Sequence, residues 1–435
     1  MILGNIKKRI GSNSYLKNIF IIASGTALGQ LIAFLASPII SRIYSPSDFG
    51  IVSVYSSILA VFLVIASLRY EFAISLPKRD EDAINLVTLS LIIVIILSLF
   101  SGIVIWIMSN LEITRIYLNK LGLYKWLIPI SILGMGSYQV LNYWAIRKSE
   151  YKLIAKTKIT QNVSQVATYI SVGLFKSGPI GLILGDIIGK TSGVRNFCSL
   201  ILKENKNLFK SIKIKEIIKV GKRYKEFPLI SSVSSVINIL GLQIAPIAFV
   251  LLFGEREAGL YSFGHKMITI PLMVLGQAVA QVYIGEVSKV VKGKKKELKP
   301  FFVNTIKKLF LIGIVPIVVL SVGGRLLFSI VFGSEWGEAG YFLQLMSPMY
   351  LAFFIVFPIS QTLNILEMQK KQFIWDLLRL VLVITIFSVV YLFNISIYNA
   401  IILYSFVMAV TYLLLLLIVY KSINNIFKGA NEEGL

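Results

Sequence analysis

Seven ionisable side chains stand inside or beside long apolar runs, where they are expensive to keep. On insertion scales a charge at mid-bilayer costs about 2.5–3.5 kcal/mol, so each is a functional candidate until its partner is found. Arg69 and Glu71 occur in SLRYEFAISLPKRDED, with Arg69 some eight residues, or ~12 Å of helix, from the nearest charged end. On a continuous helix a spacing of two places them on different faces, which predicts no mutual pairing. Two chemistries fit Arg69: a snorkelling arginine in an interhelical salt bridge, or an anion contact at the mouth of a cavity. His265 and Lys266 lie about two turns into a later run. Lys266 reads either as a lysine snorkelling outward or as a cation that holds phosphate, and His265 as a group that titrates near neutral pH. In SGPIGLILGDIIGKTSGVRN, Gly181, Gly185, Gly189 and Gly193 recur every four residues and form one smooth face for close helix packing. Asp186 and Lys190 are four apart and suited to an intrahelical ion pair. They read either as a self-neutralised pair on a packing ridge, or as a charged cavity wall whose acid exchanges a coupling cation. Arg42 closes the first run, in SRIYSPSDFG.

Several chemistries are excluded. GDIIGKT, at Gly185 to Thr191, imitates a nucleotide-binding loop, but three residues separate its glycines where four are needed, and it lies within an apolar run. Cys198 and His265 are each the single residue of their type, which rules out an internal disulfide or a zinc-type cluster; no cofactor and no metal are expected. The net charge of +23 would suit nucleic acid, but the cations punctuate apolar runs and no aromatic-basic platform occurs, so no nucleic acid partner is expected.

Elements that could position these groups must span a membrane. The 435 residues are 56% hydrophobic and have a mean hydropathy of +0.79. Soluble chains run nearer 45–50% apolar. Twelve apolar spans are expected, at 18–43, 49–76, 83–109, 126–146, 155–175, 178–200, 227–253, 259–286, 303–331, 339–366, 372–393 and 395–420. The last pair is divided only by a polar break at Asn394, Ser396 and Asn399. No cleavable leader is expected, because the first run, about 24 residues after Lys17, is too long for one. Of 44 lysines and arginines, 32 fall in one set of loops and six in the other, which predicts both termini in the cytoplasm. The linker 201–225 carries nine of them and reads as a tether at anionic headgroups. It divides an N-lobe, 1–200, from a C-lobe, 226–435. The corners PIISRIYSPSDFGIVS and PIAFVLLFGEREAGLYS share a late proline, a charged turn and a Gly-x-x-Ser step (Gly50 and Ser53; Gly259 and Ser262). They lie about 209 residues apart, as a parallel repeat of six helices would place them.

These corners, with RYEFAISLPKRDED, KRYKEFPLISSVSSVINIL, FGEREAGLYSFGHKMITIPLMVLGQAVAQVY and FGSEWGEAGYFLQLMSPM, resemble the polysaccharide transport family of the multidrug/oligosaccharidyl-lipid/polysaccharide exporter superfamily. The likeness runs in register over nearly the whole chain and is nearest to bacterial O-antigen and capsule repeat-unit flippases. It implies an all-α integral membrane protein of twelve helices, two six-helix lobes forming a V around a central cavity, in the bacterial cytoplasmic (inner) membrane. It implies transport, not catalysis: undecaprenyl-pyrophosphate carrying a short oligosaccharide, an O-antigen or capsule repeat unit, passes to the outer leaflet, in polysaccharide or lipopolysaccharide biosynthesis. In the related lipid II flippase, cations from the first, second and eighth helices line the cavity. Carried over residue by residue, Lys266 matches best, then Arg69; Arg42 is displaced to the outer corner, and His265 and Lys190 complete the candidate cationic set. Glu71 and Asp186 are the candidate acids for an H+ or Na+ counter-ion or for salt bridges. Membrane lipid is a partner, and polysaccharide polymerase and chain-length proteins are further candidates. The lipid II flippase's two extra C-terminal helices are not expected here, so the resemblance implies no lipid-tail groove of that kind.

Three competitors differ in what they need. A cation-coupled drug or metabolite antiporter of the same fold needs an acid-dominated cavity. A membrane polymerase or ligase needs a large outer loop with catalytic groups, whereas the stretch at about 110–125 offers only Glu112 as an acid. A non-transporting scaffold leaves the buried cations without a purpose.

Overall fold

The structure, a computed structural model, describes residues 14–111, 120–176, 178–204, 206–293, 297–366 and 368–432. Glu112, the acid of the stretch at about 110–125, lies outside the described residues, as do Arg115, Glu367 and the chain before residue 14. The fold is all-helical. A segment in hydrocarbon must pair its own backbone groups, and the helix does this within one segment.

The helices in chain order are α1 Ser14–Ile43, α2 Pro46–Val64, α3 Tyr70–Ala73, α4 Asp80–Asn110, α5 Leu127–Arg147, α6 Tyr151–Gly173, α7 Ile180–Thr191, α8 Val194–Glu204 and α9 Ile214–Arg223. Then follow α10 Ser232–Phe253, α11 Glu255–Gly293, α12 Leu298–Phe332, α13 Gly337–Leu345, α14 Ser347–Ile359, α15 Thr362–Ile365, α16 Gln369–Leu392 and α17 Ile397–Glu432. Among the described residues, eight helices are long and apolar enough to cross a membrane, and the pair around Met346, bent by 63°, makes a ninth candidate. Three of the expected spans, at 126–146, 155–175 and 178–200, are helical but fall outside that set. Helix α6 carries Lys152, Lys156 and Lys158, and α7 stops after 12 residues.

Local chemistry explains the corners. Ser45 and Asp48 form a reciprocal capping box: the Ser45 amide donates to Asp48 Oδ2 (2.9 Å), and the Asp48 amide to Ser45 Oγ (3.3 Å). Pro46 opens α2 where an amide hydrogen is not needed. Within α1, Pro38 cannot donate to the Phe34 carbonyl, and Ser37 Oγ donates to it instead, at 2.5 Å. At the second corner Gly254 has φ +99°, a conformation that excludes most side chains, and α11 begins at the next residue. The polar break near the C-terminus is a turn in which Asn394 adopts φ +48° between α16 and α17.

The second expected span, 49–76, is not one helix. After Val64 the backbone closes a series of tight turns (Ala66 N to Leu63 O, Leu68 N to Ile65 O, Tyr70 N to Ser67 O), and Leu68 and Arg69 are both left-handed, with φ of 50° and 64°. Two consecutive non-glycine residues in that region store strain of order 1–3 kcal/mol each.

The chain divides into two compact units, Met1–Ile239 and Leu240–Leu435. In the first, α1 packs on α6, α6 on α7, and α4 on α5, with Tyr44, Tyr169, Ile40 and Leu182 in one apolar cluster. The linker helix α9 packs on α4 in this unit. In the second, α12 packs on α13 and α14, and α14 on α17. Phe263 meets Trp336 and Phe332 there, with centroids 4.2 and 5.1 Å apart.

One contact pins the loop between α3 and α4. Arg147 Nε donates to Asp80 Oδ1 (2.9 Å), and its Nη1 donates to the carbonyls of Pro77 (2.8 Å) and Ile74 (3.1 Å). Lys148 Nζ reaches Asp80 Oδ2 at 2.5 Å. Arg147→Ala removes this fork and is expected to cost about 1.5–3 kcal/mol, read as a lower thermal midpoint in detergent. Arg147→Lys recovers little of the loss, since a compact ammonium cannot reproduce the spread of Nε and Nη1 donors across a planar guanidinium.

Candidate functional site

The break after α2 assembles the first candidate cluster. Because Arg69 is left-handed, the two-residue spacing to Glu71 no longer separates their side chains. Arg69 Nη1 lies 3.8 Å from Glu71 Oε1, which corrects the expectation that the two do not pair. Glu71 is only 3% exposed, and Ser67 Oγ donates to it. Arg69, 23% exposed along its side chain, lays its guanidinium 4.4 Å from the centre of the Phe72 ring. Phe72 in turn meets Tyr143 of α5 edge-on, at 4.8 Å. The arginine is held by one carboxylate and one ring face while part of it stays accessible. Ser67 and Phe72 were not singled out from the sequence; both lie within three residues of Arg69 and carry the holding contacts.

The second cluster lies between α6 and α7. Asp186, 7% exposed, accepts a hydrogen bond from Tyr169 Oη at 2.5 Å and another from the Gln165 amide. Lys190 Nζ stands 3.6 Å away, so the intrahelical pair is present, with the lysine half-exposed. Tyr44 Oη donates to the Tyr169 carbonyl (2.7 Å), and Gln161 Nε2 to the Lys190 carbonyl (2.7 Å). The glycine stripe is a packing ridge. A Cβ at Gly181 would stand 2.1 Å from Tyr44 Oη, at Gly185 2.3 Å from Tyr169 Cδ1, at Gly189 2.6 Å from Gln165 Cβ, and at Gly193 2.6 Å from Tyr138 Cε2. Gly185→Ala is therefore expected to cost about 1–3 kcal/mol by overpacking, measured as a lowered thermal midpoint. Gln165 and Tyr169 escaped sequence reasoning, although their i, i+4 spacing as polar groups in an apolar run was the available signal.

The third cluster belongs to the second unit. His265 Nδ1 shares a hydrogen bond with Tyr350 Oη of α14 (2.9 Å), and the imidazole stacks on Tyr261, with centroids 5.6 Å apart and planes inclined by 14°. Lys266, the next residue, is exposed on α11. The two neighbours thus differ, His265 set among packed aromatics and Lys266 exposed. Arg42, exposed at the end of α1, donates to the Pro38 carbonyl of its own helix (2.7 Å). Arg69, Glu71, Asp186, Lys190 and Arg42 lie in the first unit, and His265 and Lys266 in the second. Among the described residues, no three His, Cys, Asp or Glu side chains gather in a way that would hold a metal ion.

Apolar helices of spanning length, with charged groups in a break and between helices, define a multi-pass membrane protein. Comparison with solved structures agrees. An inward-facing multidrug resistance MATE family transporter of the MOP superfamily matches with TM-score 0.71 and 13% identity, over 94% of this chain and 99% of that one. An outward-facing MATE family transporter matches with TM-score 0.59 and 12% identity, over 94% and 96%. A MOP superfamily transporter from Pyrococcus furiosus, described by a binding pocket of reverse polarity that suggests a different function, matches with TM-score 0.56 and 14% identity, over 94% and 96%. No curated protein matches. Residues 39–340 match the family model described as polysaccharide biosynthesis protein, and the chain belongs to that family. The likeness to these transporters is one of fold.

Proposed function

We propose that the protein is a flippase that moves undecaprenyl-pyrophosphate-linked oligosaccharide, an O-antigen or capsule repeat unit, from the inner to the outer leaflet of the bacterial cytoplasmic membrane by alternating access. The observation that carries this reading is Arg69: a partly accessible cation held in a strained break of a membrane span, inside the stretch that matches the polysaccharide biosynthesis family. In this reading twelve helices form two six-helix lobes around a wet, cationic chamber, with both termini cytoplasmic and 201–225 between the lobes. Pyrophosphate and sugars need such a chamber, while the polyprenyl tail stays in lipid. Arg69 and Lys266 take the phosphates, with Arg42, His265 and Lys190 as lesser contributors. An inside-negative potential favours the anion's exit by ~2.3 kcal/mol per charge per 100 mV, and Glu71 or Asp186 offers an acid for H+ or Na+ exchange.

The first test is Lys266→Ala in a strain that depends on surface polysaccharide. A lost charge-assisted contact of about 1.5–3 kcal/mol corresponds to roughly 10–100-fold less export at limiting substrate. Normal export would remove Lys266 as a phosphate contact. The fold neighbours described as multidrug transporters favour a second reading, a cation-coupled drug or metabolite antiporter. Uptake of small cationic dyes into energised vesicles, with no movement of the lipid-linked oligosaccharide, would select it.

A further inference from the structure

Helix α9, Ile214–Arg223, has three faces of different chemistry. Val220 and Gly221 lie on the packed face, where Val220 is 3% exposed and a Cβ on Gly221 would stand 3.2 Å from Leu89 Cδ2 of α4. Beside that face Ile214 and Ile218, four apart and so on one edge, are 78% and 52% exposed. Beyond them Lys215, Lys219 and Lys222 are all exposed, and Lys219 also reaches Glu216 at 3.2 Å. Apolar edge and cationic face are thus adjacent, the arrangement by which a helix lies in a headgroup layer.

Its height in the fold matches. Asn85 and Leu89 of α4 stand five and nine residues beyond Asp80, about 7 and 13 Å along the helix. The acidic first turn, Asp80 to Asp82, ends just before, and the apolar run begins at Ala83. Helix α9 is therefore packed where the charged end of a membrane span gives way to its apolar body. Both its ends are tied there. Asn85 Nδ2 donates to the Ser211 carbonyl (3.1 Å), Asn85 Oδ1 accepts from the Lys213 amide (3.3 Å), and Tyr70 Oη donates to the Gly221 carbonyl (2.9 Å). Tyr70 is the residue between Arg69 and Glu71.

We propose that the exposed side of α9 is a docking surface for anionic lipid headgroups, and that lipid seated on it steadies the strained break at Ile65–Arg69 through the Tyr70–Gly221 hydrogen bond. Charge complementarity selects the occupant: three exposed lysines beside two exposed isoleucines suit phosphate headgroups above acyl chains, whereas a soluble acidic partner would leave the isoleucines in water. The lipid composition of the inner leaflet would then set how long the arginine-bearing break keeps its shape, whatever the transported substrate.

The test uses the full-length protein in nanodiscs of phosphatidylcholine alone, or with about 30 mol% phosphatidylglycerol, and reads backbone hydrogen exchange. The expected result is exchange slowed about tenfold or more in anionic discs at both 214–223 and 65–76. Combined Lys215→Gln, Lys219→Gln and Lys222→Gln should abolish the slowing at both segments. Tyr70→Phe should keep it at 214–223 and lose it at 65–76. Equal exchange of the unaltered protein in the two discs would overturn the proposal without reliance on any variant, and would leave the face to a soluble partner. Slowing that survives the triple substitution would overturn the headgroup contact. Slowing at 65–76 that survives Tyr70→Phe would overturn the coupling.

Discussion

Under the proposed function, replacing Arg69 with alanine is expected to abolish export of the lipid-linked oligosaccharide and to lower stability at the same time. The stability loss follows from Glu71, which is 3% exposed and has Arg69 Nη1 at 3.8 Å. Removing the arginine leaves the buried Glu71 carboxylate with Ser67 as its hydrogen-bond donor and without its cation, at a cost of about 1–3 kcal/mol. Loss of export by itself would therefore not identify Arg69 as a substrate contact, and a double variant separates the effects. Arg69→Ala with Glu71→Ala removes both charges and should restore much of the thermal midpoint while export stays at background. Arg69→Lys keeps a charge but loses the flat contact with Phe72 and should export only partially. The measurement is cell-surface polysaccharide beside membrane abundance of each variant. Normal export by the double variant would reduce Arg69 to a structural partner of Glu71.

Asp186→Ala should be the most destabilising single change among the charged residues between α6 and α7. The carboxylate is the shared acceptor of Tyr169 Oη, the Gln165 amide and the Lys190 ammonium, and it lies 7% exposed against a glycine ridge that leaves no slack. Its loss leaves the buried Tyr169 hydroxyl without its acceptor, while the Gln165 amide keeps Tyr169 Oη, and about 1–3 kcal/mol is expected, seen as a lower thermal midpoint and reduced membrane abundance. Asp186→Asn keeps an acceptor oxygen and should recover part of the midpoint. If Asp186 also exchanges the counter-ion, the Asn variant will fold yet lose the dependence of export on an imposed proton or sodium gradient. Lys190→Ala, by contrast, removes a half-exposed i, i+4 pair worth only about 0.3–0.5 kcal/mol and should leave the midpoint nearly unchanged.

The sequence by itself determined the medium, the helical class and the places where charge resists that medium. Apolar run length and the one-sided distribution of lysine and arginine are one-dimensional properties. So is the four-residue recurrence of Gly181, Gly185, Gly189 and Gly193, which announces a smooth face without naming what lies against it. That Tyr44, Tyr169, Gln165 and Tyr138 fill that face was decided only when α1, α5, α6 and α7 packed together. Spacing also misled at one point. Two residues on a continuous helix diverge, but no helix continues through Ile65–Arg69, and neither glycine nor proline marks the break. It is held by contacts with Phe72 and Ser67, by Tyr70 reaching Gly221 some 150 residues on, and by Tyr143 behind Phe72. Likewise His265 gains its place from Tyr350, 85 residues away. A chain can encode how much a charge costs in lipid, because that depends on the residue and its immediate run. Which partner offsets the cost depends on distances between segments far apart in sequence, and those exist only once the helices have packed.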